Sequence, residues 1–202
     1  MRSSLFFAAL LFVVAIGALV VVRNPLSPAA PASRGTITLI GDSLNVGIEP
    51  YVPDALPGWK IVANDEVGRV TPQGIAELEA GMSTLSNYIV VSLGTNDPPA
   101  EVETFRKDVA RFLRLVGPNR CVVWATIWRD GRPNDAFNDV LRDAAKANRR
   151  VSLVEWAEMV EQDPALLAPD RLHGSEDGYR ERARKVAAAV AGCAPAQSVA
   201  PA

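Results

Sequence analysis

Histidine and cysteine are scarce in this chain of 202 residues: His173 stands alone, and Cys121 and Cys193 are the two thiols. A structural zinc site takes four such ligands and a catalytic one three. One imidazole and two distant thiols therefore form no zinc site. No glycine-rich phosphate-binding loop follows any predicted strand, so no nucleotide cofactor is implied either. An excess of charge of one sign is also missing. The formal net charge is -2. Arg2 and Arg23, but no acidic residue, precede Arg34, which leaves 19 basic against 23 acidic residues from there on, a net -4. Nucleic acids and anionic lipid surfaces need a basic face, which argues against either as the domain's main partner. No internal repeat is visible.

What the sequence holds in excess is one apolar run, residues 5–22, interrupted only by Gly17 and preceded by Met1-Arg2-Ser3-Ser4. A cleavable signal peptide has an apolar core of about 7 to 15 residues, whereas a spanning helix needs at least about 17. The length of the run favours an uncleaved anchor. Cleavage near Ala30-Pro31-Ala32 is the alternative, and either outcome places the rest of the chain outside the cytoplasm. The expected organisation is a signal-anchor or transmembrane segment over 1–23 and a Pro/Ala-rich linker over 24–35. A folded domain then spans 36–193, and a tail over 194–202 repeats the linker's composition.

Within the domain, apolar and β-branched runs of strand length fall at 36–40, 60–63, 88–92, 121–125 and 151–154. Helical periodicity fills 99–116, 134–148 and 175–191. Strands alternating with helices predict βαβ units and a parallel sheet covered on both faces. The expected fold class is α/β, a three-layer α/β/α flavodoxin-like domain on a five-stranded parallel sheet. Function in such a sheet gathers at the carboxyl ends of the strands. The same layout sets Cys121, at the start of the fourth strand, and Cys193, after an antiparallel last helix, at one edge. A disulfide between them is expected outside the cytoplasm, with two free buried thiols as the alternative.

Three of the strand-end regions carry small polar clusters: Gly41-Asp42-Ser43-Leu44, Gly94-Thr95-Asn96-Asp97 and Asp170-Arg171-Leu172-His173. A serine hydroxyl attacks only when a base takes its proton, and the base needs a carboxylate to fix its tautomer and stabilise the imidazolium. Ser43, His173 and Asp170 supply those three chemical types. A serine after a strand is otherwise a helix cap, and asparagine a turn residue.

In this order and at these strand ends the clusters resemble the SGNH or GDSL hydrolase family, over Ile40 to Tyr179. The resemblance implies Ser43 as nucleophile, His173 as general base and then general acid, and Asp170 as its orienter. It also implies an oxyanion hole from the Ser43 N–H, the Asn96 amide and a glycine N–H after the second strand. Gly68 stands at that place, with Gly74 as the alternative. The Gly-x-Ser-x-Gly elbow of the α/β-hydrolases is absent, since Asn45 occupies its last position. Trp128, Arg129 and Arg132, after the fourth strand, are candidates for contact with a sugar face or an anionic substrate group, or else for lid packing. Val67-Gly68-Arg69 and Val154-Glu155-Trp156 loosely resemble the SGNH domains associated with envelope glycan O-acyltransferases.

The sequence thus points to an extracytoplasmic serine ester hydrolase that cleaves or transfers a small acyl group, of the O-acetyl type, through an acyl-enzyme. Water or a sugar hydroxyl is the acceptor, the substrate is an ester on envelope glycan or lipid, and the membrane is reached through the N-terminal run. A lipase, lysophospholipase or thioesterase acting on longer chains is the rival within enzymes. A non-catalytic glycan-binding domain is the rival outside them.

Overall fold

The structure, a computed structural model, describes residues 34–130 and 135–193. The apolar N-terminal run, the linker up to residue 33, the tail from 194 and Arg132 lie outside the described residues. No helix among the described residues is long and apolar enough to cross a membrane.

Five strands, β1 (Gly35–Gly41), β2 (Trp59–Asp65), β3 (Tyr88–Ser92), β4 (Cys121–Ala125) and β5 (Val151–Val154), form one sheet in the order β2-β1-β3-β4-β5. Every neighbouring pair is parallel. This is the flavodoxin strand order. β3, β4 and β5 coincide with the runs expected from sequence; for β3 and β4 the reason is that strands covered on both faces are apolar at almost every position. β1 and β2 are longer than expected. β2 lies at the edge, where Lys60 and Val62 face solvent, so its ladder with β1 extends past its apolar stretch.

Among the described residues seven α-helices complete the three layers: α1 (Ser43–Ile48), α2 (Val52–Ala55), α3 (Thr71–Ala80), α4 (Val102–Val116), α5 (Asp135–Ala147), α6 (Trp156–Gln162) and α7 (Glu176–Gly192). Alternation along each strand divides the core in two. Ile40, Ile89, Val91, Val122 and Trp124 pack under α3, α4 and α5, with Phe105, Phe112 and Phe137 among them. Ile37, Leu39, Val90, Val123 and Ala125 pack under α1, α2, α6 and α7. The expected disulfide is present between Cys121 and Cys193, with Cα atoms 6.0 Å apart. It joins the start of β4 to the end of α7 at the amino edge of the sheet.

The chain leaves β1 for β2 on one side and then reaches β3 on the other. The order of the sheet reverses there, and the carboxyl ends of β1 and β3 form the crevice where open α/β sheets bind ligands.

Candidate active site

The crevice is built first by the turn after β1. The Asp42 N–H donates to the Ser92 carbonyl at 2.9 Å, which continues the β1–β3 ladder one residue past the strand. The Asp42 carboxylate then caps α1, its Oδ1 accepting the Leu44 N–H at 3.0 Å. A buried carboxylate at this cap satisfies one of the four N–H groups that a helix start leaves without partners. Ser43 is the first residue of α1, so its own N–H also points out of the helix start. Asn45 lies under the turn and donates to Asp65 Oδ1 at 3.1 Å, tying α1 to β2. A Cβ on Gly41 would stand 2.6 Å from Asn45, which is why β1 ends in glycine.

The second part is the loop before α7. Asp170 Oδ1 accepts the N–H groups of Leu172 and His173, both at 3.0 Å, and so folds the loop into a turn. Its Oδ2 lies 2.7 Å from His173 Nδ1. The hydrogen bond from His173, followed by those from the two backbone groups, holds the Asp170 carboxyl down at about 2. With Nδ1 donating to that carboxylate, Nε2 is left as an acceptor. It stands 2.9 Å from Ser43 Oγ. The fold has therefore brought together hydroxyl, imidazole and carboxylate from residues 130 positions apart, in the geometry that allows an imidazole to take the serine proton.

The third part is the loop between β2 and α3. Gly68 is exposed there in the left-handed region, at φ 81°, a conformation that favours glycine. The alternative, Gly74, sits inside α3, where its N–H donates to the Val70 carbonyl. A Cβ on Gly74 would come within 2.4 Å of the Leu93 side chain, so this glycine serves helix packing. Arg69 fastens the loop from beneath: it is buried and donates to the carbonyls of Gly41 and Asn64. Asn96, exposed after β3, donates its amide to the Arg69 carbonyl at 3.1 Å. Asp97 beside it is buried and accepts both the N–H and the hydroxyl of Thr71, which anchors the start of α3.

Beside the Asp170–His173 pair opens a cleft of about 320 Å³, bordered by Thr95, Asn96, Asp130, Asp170 and Arg171. Arg171 pairs with Asp130 across it at 2.6 and 3.2 Å. Trp128 is half-buried and donates its indole N–H to the Arg171 carbonyl. Arg129, a candidate for substrate contact or lid packing, takes a packing position. It is buried, stacks 4.6 Å from the Phe137 ring centroid and donates to the Gly94 carbonyl, so it forms the floor of the cleft.

Two buried arginines hold the site in ways that sequence reasoning did not assign. Arg69 enters that reasoning only as part of Val67-Gly68-Arg69, without its anchoring bonds. Arg182, on α7, bonds Ser92 beneath the site. A signal for Arg182 existed, since it falls three residues after Tyr179 and four before Val186, on the helix face turned to the sheet.

No protein-family model and no curated protein matches this sequence. Solved structures do. A lipase/acylhydrolase from Enterococcus faecalis superposes with TM-score 0.64 at 19% identity, over 81% of this chain and 99% of that one. A member of the lipolytic G-D-S-L family from Veillonella parvula gives TM-score 0.62 at 19% identity, over 75% and 95%. The fold is that of the SGNH/GDSL hydrolases. The C-terminal catalytic domain of Streptococcus pneumoniae peptidoglycan O-acetyltransferase A carries it too, at TM-score 0.61 and 19% identity, over 79% of this chain and 92% of that domain. Nearly the whole of each of these solved structures is therefore matched by the single domain described here.

Proposed function

We propose that this protein is a serine ester hydrolase that acts on a small acyl group through an acyl-enzyme on Ser43. The observation that carries the reading is the continuous contact from Asp170 Oδ2 to His173 Nδ1 and from His173 Nε2 to Ser43 Oγ. Ser43 Oγ attacks the ester carbonyl carbon while Nε2 takes its proton, and the carbonyl oxygen becomes an oxyanion. The N–H groups of Ser43 and Gly68 and the Asn96 amide receive that charge. Collapse breaks the bond to the leaving alcohol, which takes the proton back from Nε2. Water, or a sugar hydroxyl, then repeats the sequence on the acyl-serine and releases the enzyme.

A small acyl group suits the cleft, which is modest in volume and bordered by charged side chains; this weighs against long-chain lipase or thioesterase activity. The likeness to a peptidoglycan O-acetyltransferase domain favours transfer to a glycan hydroxyl as the second reading. The complete Ser43, His173 and Asp170 set weighs against a non-catalytic glycan-binding domain. The Cys121–Cys193 disulfide supports a place outside the cytoplasm, and the apolar N-terminal run supports membrane attachment or export.

A fluorophosphonate probe tests the reading. It is expected to label the protein and to leave Ser43→Ala and His173→Ala unlabelled, whereas labelling of Ser43→Ala removes Ser43 as nucleophile. Aryl esters of increasing acyl length, with and without a glycan acceptor, then separate hydrolysis from transfer.

A further inference from the structure

Arginine is seldom buried without a partner, yet Arg182 is 1% exposed in the middle of α7. Its guanidinium lies 5.1 Å from the Trp156 ring centroid and donates from Nη2 to Ser92 Oγ at 2.9 Å. A hydroxyl that accepts from a cation keeps its own hydrogen to give. Ser92 gives it to Asp42 Oδ1 at 3.0 Å, the same oxygen that caps α1 through Leu44. The path thus runs from Arg182 through Ser92 to the Asp42 cap, one residue before Ser43. Burial pushes the Asp42 carboxyl up and the Arg182 guanidinium down to about 10, and the charge of each opposes the shift of the other.

The helix that carries Arg182 also packs against the loop that holds His173. Tyr179, one turn earlier, has its ring wedged between α1 and the His173 loop: a Cβ on Gly47 would fall 2.0 Å from it and one on Gly174 2.9 Å. α7 therefore touches both the helix that presents Ser43 and the loop that presents His173. We propose that Arg182 is a positioning residue, acting through Ser92 and Asp42 to set the approach of Ser43 Oγ to His173 Nε2. This rests on the reading of Ser43 and His173 as nucleophile and base. Ser43 and His173 sit on separate elements, and a misplacement of about 1 Å between reacting groups can cost on the order of a hundredfold in rate.

The test uses Ser92→Ala, which removes the relay and keeps both charges, and the paired Arg182→Met/Asp42→Asn, which removes both charges together. Arg182→Met alone leaves a buried carboxylate uncompensated and can unfold the domain; the other two keep the test alive. Kinetics on p-nitrophenyl acetate are read beside the imidazole NMR signals, which belong to one residue because His173 is the only histidine. For Ser92→Ala the expectation is a kcat about tenfold lower, KM within about twofold, and shifted His173 ring signals in a folded protein. Wild-type kcat with unmoved ring signals in both folded variants overturns the inference and leaves the ester-hydrolase reading standing. Shifted ring signals in a protein whose wild type neither hydrolyses esters nor takes the probe leave the positioning role standing and remove the ester-hydrolase reading. No activity together with unmoved signals removes both.

Discussion

The Asn96 amide donates to the Arg69 carbonyl at 3.1 Å, so the loop after β3 holds in place the loop that carries Gly68. Arg69 completes the link by donating to the Gly41 carbonyl at 3.3 Å, two residues before Ser43. The three proposed oxyanion donors thus come from loops bonded to one another, and donors fixed before reaction need no reorganisation as charge develops.

That arrangement predicts the effect of Asn96→Ala. One amide hydrogen serves Arg69 and the second is left for the substrate oxygen. The substitution removes a donor and an anchor together. A fall in kcat of roughly 10² to 10³ is expected, about 3 to 4 kcal/mol of transition-state stabilisation. Steady-state hydrolysis of an aryl acetate measures it, and an unchanged kcat excludes Asn96 from the oxyanion hole.

Asp65 predicts how stability responds to pH. Burial pushes its carboxyl from 3.8 up to about 7, against the hydrogen bond from Asn45. Between those values the folded protein keeps a proton that the unfolded chain has released, so stability falls as pH rises through that window. The contribution is about 4 kcal/mol at most. Asp170 has the opposite sign: its carboxyl is held low, so its contribution is present above about 4 and is lost as pH falls toward 2. Asp65→Asn should therefore raise Tm at pH 8 and much less at pH 5. Thermal melts of both proteins at the two pH values decide it, and an equal gain at both rules out this titration.

The disulfide predicts a loss of stability without a loss of chemistry. Cys121 and Cys193 are 72 residues apart in sequence. In the chain-entropy model, closing a loop of that length contributes about 4 kcal/mol. At roughly 2 to 4 °C per kcal/mol for a domain of this size, Cys121→Ser/Cys193→Ser should melt about 10 °C lower. The bond lies at the amino edge of the sheet and the site at the carboxyl edge, so kcat at 20 °C should stay near wild type. A simultaneous collapse of kcat in the folded variant contradicts that separation.

The Arg171–Asp130 pair predicts acyl preference. Both side chains are largely exposed, so the pair adds little to stability. It does narrow one side of the cleft. Asp130→Ala should leave Tm nearly unchanged and raise the ratio of butyrate to acetate hydrolysis several-fold. An unaltered ratio places the acyl chain elsewhere.

Parts of the fold were legible from local sequence. β3 and β4 are buried on both faces and read as nearly unbroken apolar runs. α4 shows its stripe of Phe105, Val109, Phe112 and Val116 at helical spacing. α3 was not legible, because Gly74 interrupts it and Ile75 and Leu78 are its only large buried apolar residues. α1 has six residues, too few for a periodic pattern, and begins at the serine itself. For Arg129 the sequence left substrate contact and lid packing open; the Phe137 ring beneath it takes the guanidinium out of water.

The sequence by itself determined the relation of Asp170 to His173: three residues of spacing let one turn bond both backbone N–H groups and the imidazole to a single carboxylate. It also determined which strand ends carry polar residues, since the apolar runs end there. Only the tertiary structure decided that Ser43 lies 2.9 Å from His173, that Gly68 has the exposed loop conformation while the Gly74 N–H is used within α3, and that Arg182 bonds Ser92. Hydrogen bonds within one turn are encoded by residues a few positions apart. The approach of groups 130 residues apart depends on how β1, the His173 loop and α7 dock, and docking is a property of whole packed faces.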